Sequence, residues 1–283
     1  MIFPARLAKT IRHSPGLQYC EPLWRALRPA YLRLIDPLRR GVPMTLGGYP
    51  VRVPAELLGT NPDWSTYEPE TLAALGAWLE GNSGRTTLLD IGCSFGVVTS
   101  FAVQVCPRVE VIAFDSELMS LRALDAVVPA SAQPRVRRIE GLLGNEHSSG
   151  QTLDAALAST QLRLPKIPAR LAICRSSFLC FGESAADNTP RHRLDALLAG
   201  VAFPGPVILK CDVEGAELLV LSGAAAFLSR VRPTLLLSIH PSALPRFGHT
   251  KDGVAAFLRG HGYNSRVLAC DHEEHWWCEP LPQ

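Results

Sequence analysis

Three ionisable side chains alternate along one apolar run, Lys210, Asp212 and Glu214 in VILKCDVEG. Residues two apart on a strand share a face, so this spacing sets an ammonium group beside two carboxylates. Grouping charges on a core strand is costly unless they are paired or used. One use is proton transfer, with Asp212 or Glu214 as base and Lys210 balancing the charge. His240 ends another apolar run, TLLLSI, and is a further candidate base. Each group also has an ordinary role. Lys210 can pair with a carboxylate, Glu214 can favour a helix N-terminus, and His240 can bond a neighbour at a strand end.

A second stretch, TLLDIGCSFG at 87–96, carries Asp90 into Gly92 and Gly96. Small residues at a strand-to-helix turn let a ligand approach backbone N–H groups at the start of the helix. Asp115 ends the run VEVIAF, 23 residues beyond Gly92, close to where a Rossmann unit places the carboxylate that binds ribose hydroxyls. It can equally cap the next helix. A dinucleotide site wants G-x-G-x-x-G, whereas Ser94 occupies the middle position here and the spacing is G-x-x-x-G. The turn therefore fits a phosphate-free nucleoside such as S-adenosylmethionine better than NAD. Glu140 and Gly141 end the third strand and, by position, face the adenine.

These residues need an alternating scaffold. Strands are predicted at 86–91, 109–114, 135–140, 206–211 and 234–239, with helices at 95–105, 117–128, 193–198, 216–228 and 254–259. That rhythm implies parallel pairing with right-handed crossovers. Segments 263–270 and 275–279 pair as a closing antiparallel hairpin, and 141–190 reads as irregular strands or a lid. Ahead of the core, 64–79 reads as a helix. There Trp64, Tyr67 and Glu68 either close over the site or serve as ordinary packing and surface residues. His272 and His275 would suit zinc on a helix, but the adjoining Trp-Trp pair suggests a strand, where residues three apart face opposite sides. No metal is expected.

The 283 residues are 47% hydrophobic and 19% charged, which suits a globular fold and excludes a disordered chain. Residues 1–55 hold nine Lys or Arg against Glu21 and Asp36, so the small net charge of +2 hides a basic N-terminus and a mildly acidic body. Residues 1–60 are read as an N-terminal extension and 61–283 as the catalytic domain. Within the extension, Leu23, Leu27, Tyr31, Leu34, Ile35 and Leu38 recur at helical spacing with arginines beside them, and Pro29 and Pro37 are expected to kink or divide the helix. That face suits packing, or contact with a membrane surface or an acidic partner. Val42–Val53 reads as a small hairpin around Gly47 and Gly48. The eight cysteines form no CxxC pair and read as reduced. With neither a long apolar span nor a secretory signal in view, the expected location is cytoplasmic.

LLDIGCSFG with ILKCDVEGAELLVLSGA and RPTLLLSIHP resembles the FkbM family of S-adenosylmethionine-dependent methyltransferases over roughly residues 64–280. The resemblance implies an α/β, Rossmann-like class I methyltransferase: a seven-stranded, mostly parallel sheet with helices on both faces and a reversed last strand. It implies O-methylation of a hydroxyl on a small molecule or glycan, and a cofactor loop at Asp90, Gly92, Cys93, Ser94 and Gly96. Cys93 and Ser94 replace the family's more usual Ala-Asn pair, and Ser238 stands where an acidic residue is expected. An NAD-linked oxidoreductase and a non-catalytic protein retaining the fold are the rival readings. No nucleic-acid partner is expected, because no Asp/Asn-Pro-Pro-aromatic signature is present.

Overall fold

The computed structural model describes residues 21–59, 63–82, 84–146, 152–175 and 188–282. Parts of the predicted irregular stretch 141–190, and residues 1–20, lie outside them. The chain forms two compact units, Met1–Ala73 and Ala74–Gln283.

In the first unit, α1 spans Glu21–Ile35. Pro29 does not divide it, and the helix stops before Pro37, where Asp36 accepts hydrogen bonds from the N–H groups of Arg40 and Gly41. Leu27 and Leu34 are exposed. The expected hairpin forms from β1 (Val42–Leu46) and β2 (Tyr49–Val53), turning at Gly47 and Gly48, both at positive φ. Two positive φ values in a two-residue turn match the twist of the flanking strands. The helix expected from residue 64 starts later, as α2 (Pro69–Gly81), after a 3-10 turn at Trp64–Thr66. Glu68, at φ +39°, breaks the path between them. Trp64 is core, its Nε1 donating to the Leu57 carbonyl at 3.0 Å and its ring set edge-on to Tyr67.

The second unit continues as β3 (Thr86–Ile91), α3 (Val97–Val105), β4 (Val109–Asp115), α4 (Leu118–Val127), β5 (Val136–Glu140) and β6 (Leu142–Leu143). After these come α5 (Leu153–Arg163), α6 (Ala169–Arg175), β7 (Arg191–His192), α7 (Leu194–Leu197) and β8 (Val207–Cys211). The C-terminal elements are α8 (Glu217–Ser222), α9 (Ala225–Val231), β9 (Thr234–Ile239), α10 (Lys251–Gly260), β10 (Tyr263–Cys270) and β11 (Glu274–Pro280). Seven strands form one sheet in the order β10-β11-β9-β8-β3-β4-β5, with β11 antiparallel to both neighbours. From β3 the chain moves outward through β4 and β5, then returns to β8 on the other side. Right-handed crossovers run in opposite directions from that switch, so their helices cover opposite faces. β3 and β8 are buried along their whole length, so Asp90 and Lys210, which interrupt their apolar runs, are buried charges.

Two further expectations are revised. Where irregular strands or a lid were expected over 141–190, the described residues hold the short strand β6 together with two helices, α5 and α6. Thr152 caps α5, and its buried stripe of Leu153, Ala156 and Thr160 is short and includes a hydroxyl, so the periodicity was faint. The helix expected over 216–228 is two helices. Gly223 packs against the Gly144 carbonyl, which would lie 1.9 Å from any Cβ there, and Asp195 accepts from the N–H groups of Ala226 and Phe227 at the start of α9.

Candidate active site

The carboxyl ends of β3, β4, β5, β8 and β9 carry Asp90, Gly92, Cys93, Ser94, Gly96, Asp115, Glu140, Gly141, Lys210, Asp212, Glu214 and His240. After β3 the chain turns through Gly92 at φ +74°, Ser94 at +48° and Gly96 at +81°. A Cβ on Gly92 would meet the Asp212 carbonyl oxygen at 1.8 Å, and one on Gly96 would meet Leu124 at 2.0 Å. Both positions are closed to side chains. Gly92 and Cys93 donate their N–H groups to the Phe114 carbonyl, and Ser94 donates its N–H to Asp115 Oδ2 at 2.8 Å. Ser94 is a non-glycine residue in a left-handed conformation, a kind of strain that collects at functional loops.

Asp115 also caps α4 by accepting from the Glu117 N–H at 2.8 Å, so both sequence readings of this residue hold together. Burial lifts its pKa to about 6, against the two N–H groups that favour its charge. Burial keeps the Cys93 thiol neutral, well above its ordinary value. Asp90 is fully buried and accepts from Thr99 Oγ1 at 2.5 Å. Glu140 pairs with Arg163 at 2.8 Å, and burial raises it above the usual carboxylate range. Gly141 is tight for another reason, since a Cβ would meet the His192 ring at 2.3 Å.

The neighbouring edge is built from charge. Lys210 Nζ donates to the Gly92 carbonyl at 2.9 Å and to Asp212 Oδ2 at 3.3 Å, and lies 3.7 Å from Asp90 Oδ1. Glu214 follows in a left-handed conformation at φ +54°. His240, buried, faces four carboxylates. Its Nδ1 lies 2.7 Å from Glu217 Oε1, while its Nε2 lies 2.6 Å from Glu273, 3.4 Å from Glu214 and 3.7 Å from Asp212. Burial alone would lower its pKa, but the contacts with Glu217 and Glu273 and the charge on Asp212 prevail and raise it to about 11. Burial, with the carboxylates of Asp212, Glu273 and Glu217, lifts Glu214 above its ordinary range against the pull of His240.

Glu217 and Glu273 are the members that sequence reasoning missed. Glu217 stands in the DVEGAE block three residues after Glu214, and it accepts from the Gly215 N–H as well as facing His240. Glu273 was legible only as part of an acidic tail. His272 and His275 diverge as expected for that tail, one exposed and the other buried, with His275 Nδ1 3.4 Å from Ser238 Oγ. That contact occupies the position where an acidic residue was expected.

The glycine turn fits a nucleoside sulfonium cofactor. Gly92 and Gly96 leave no side chain over the turn, and Asp115 places a carboxylate at the adjacent strand end. The family model described as the Methyltransferase FkbM domain matches residues 142–265. That span includes Lys210, Asp212, Glu214, Glu217 and His240. No curated protein matches the sequence significantly. Among solved structures, the methyltransferase FkbM from Methylobacillus flagellatus KT is similar at 15% identity with a TM-score of 0.43, over 80% of this chain and 53% of its own. This chain thus spans about half of that protein's length. Precorrin-6y C5,15-methyltransferase from Geobacter metallireducens GS-15 shows 11% identity and a TM-score of 0.42, over 76% and 90% of the two chains. A human methyltransferase 10 domain containing protein shows 10% identity and a TM-score of 0.42, over 92% and 97%. The strand order with reversed β11 is the class I methyltransferase arrangement, and the methyl donor of that family is S-adenosylmethionine.

Proposed function

With an FkbM methyltransferase domain as the premise, we propose that the protein transfers a methyl group from S-adenosylmethionine to a hydroxyl on a small molecule or glycan. The cofactor supplies a methyl carbon already activated on a sulfonium. What the chain must add is placement of the acceptor oxygen, which is worth on the order of 7–11 kcal/mol when well oriented, and removal of its proton.

Asp115 accepts from the ribose hydroxyls, and the Gly92–Gly96 turn brings backbone against the nucleoside. Lys210 holds that turn to the acidic edge through Gly92, Asp90 and Asp212. Glu214 takes the acceptor proton. Its side chain is 47% exposed, and its raised pKa brings it toward the range where a base works best. His240 is poorly suited to that step, because a histidine raised to about 11 already carries its proton at neutral pH. It orients Asp212 and Glu214 instead. The observation that carries this reading is one half-exposed carboxylate of raised pKa beside a buried charge cluster, at the sheet edge shared with the glycine turn.

The test is incubation with S-adenosylmethionine carrying a labelled methyl group and a panel of hydroxylated small molecules and oligosaccharides, read by mass spectrometry. A labelled methyl ether supports the proposal. Label found only on nitrogen acceptors or RNA, or no transfer to any acceptor, refutes it.

A further inference from the structure

Five carboxyl groups, Asp90, Asp212, Glu214, Glu217 and Glu273, lie within 4 Å of two basic side chains, Lys210 and His240. One part of this cluster has a particular geometry. Oxygens of Asp212 and Glu214 and a nitrogen of His240 all lie within 4.8 Å of one another. His240 Nδ1 is held by Glu217, and Nε2 faces Glu273 at 2.6 Å, Glu214 at 3.4 Å and Asp212 at 3.7 Å. A carboxylate behind one ring nitrogen is how a metal-ligating histidine is held in orientation.

One buried oxygen points to something further. Glu273, only 4% exposed, sets Oε2 2.6 Å from His240 Nε2 and is met there by the imidazole. Glu217 is fully buried, and its Oε2 accepts no hydrogen bond. Buried carboxylate oxygens without donors are costly unless a positive group meets them.

We propose that Asp212, Glu214 and Nε2 of His240 bind one divalent cation of the Mn²⁺ or Mg²⁺ type. Glu217 orients the imidazole and Glu273 closes the buried side. Carboxylate oxygens suit hard divalent ions, a single imidazole shifts the preference toward Mn²⁺, and no thiolate contributes. A bound cation would polarise the acceptor oxygen and favour its deprotonation. This use of the ion rests on the proposed O-methyl transfer, whereas its binding does not.

The test is titration of the full chain with Mn²⁺ alone, followed by the electron paramagnetic resonance signal of the free ion. One ion per chain is expected, with Asp212→Asn and Glu214→Gln each weakening it by about tenfold or more. Because Glu214 is half exposed, its variant guards against simple misfolding. Asp271→Asn is the discriminating control, since Asp271, Glu273 and His275 also offer donors within 4.8 Å of one another. Unchanged binding in Asp271→Asn supports the assignment. No uptake at millimolar Mn²⁺, the result expected if the cluster instead meets a cationic acceptor, overturns it. So does binding that survives both edge variants or is lost in Asp271→Asn alone. If Mn²⁺ binds as expected while no hydroxyl is methylated, the cation site stands and the O-methyl reading fails.

Discussion

The two adjoining parts of the sheet's carboxyl edge are built by opposite means. At the ends of β3 and β4 the chain relies on backbone: two glycines at positive φ, one of them with a carbonyl oxygen 1.8 Å from any Cβ, and Asp115, tied down by two N–H groups. At the ends of β8 and β9 it relies on charge, with four carboxylates around one histidine. A site that must accept a constant cofactor is served by rigid shape. A site that must move a proton is served by groups whose pKa values their neighbours can shift.

This contrast breaks most visibly at Glu214. Glu214→Gln, which keeps the shape and removes the charge, should lower kcat by about 10² to 10⁴ while leaving S-adenosylhomocysteine affinity, measured by calorimetry, unchanged. Asp212→Asn should behave alike, and a matching fall in cofactor affinity would mean that the edges are not separable. Gly92→Ala tests the other side. With the Asp212 carbonyl 1.8 Å from the new Cβ and φ at +74°, it should cost about 2–4 kcal/mol in urea unfolding and affect both halves together. Asp115→Ala should weaken S-adenosylhomocysteine binding by about 10- to 100-fold, the worth of a hydrogen bond to a charged group, with little change in kcat at saturating cofactor.

The smallest effect is in pH dependence. In the proposed binding mode ribose hydroxyls donate to the ionised form of Asp115, so protonation would compete with the cofactor. Its pKa lies at about 6, so affinity should be flat above that pH and fall by up to about tenfold per unit below it. The slope should vanish in Asp115→Asn. A slope that persists in that variant assigns the titration to another group.

The same contrast decided what the sequence disclosed. Glycine turns are legible because few residues tolerate positive φ, and the alternation Lys210, Asp212, Glu214 is legible because strand geometry fixes which residues share a face. The buried strands were placed almost to the residue, 86–91 and 234–239 among them. Glu217 and Glu273 escaped because they reach His240 from a helix start and from the turn before β11, positions that sequence spacing does not relate to β9. The split between α8 and α9 escaped for a similar reason. It depends on Gly144, far away in the chain, lying against Gly223. Long-range contacts of this kind leave no local periodicity to read.

Lys210 belongs to both edges at once, bonded to the Gly92 carbonyl on one and to Asp212 on the other. A ligand that tightens the turn also fixes the ammonium group facing the carboxylates, so occupancy of one edge should set affinity at the other. Thermodynamic linkage makes that influence equal in both directions.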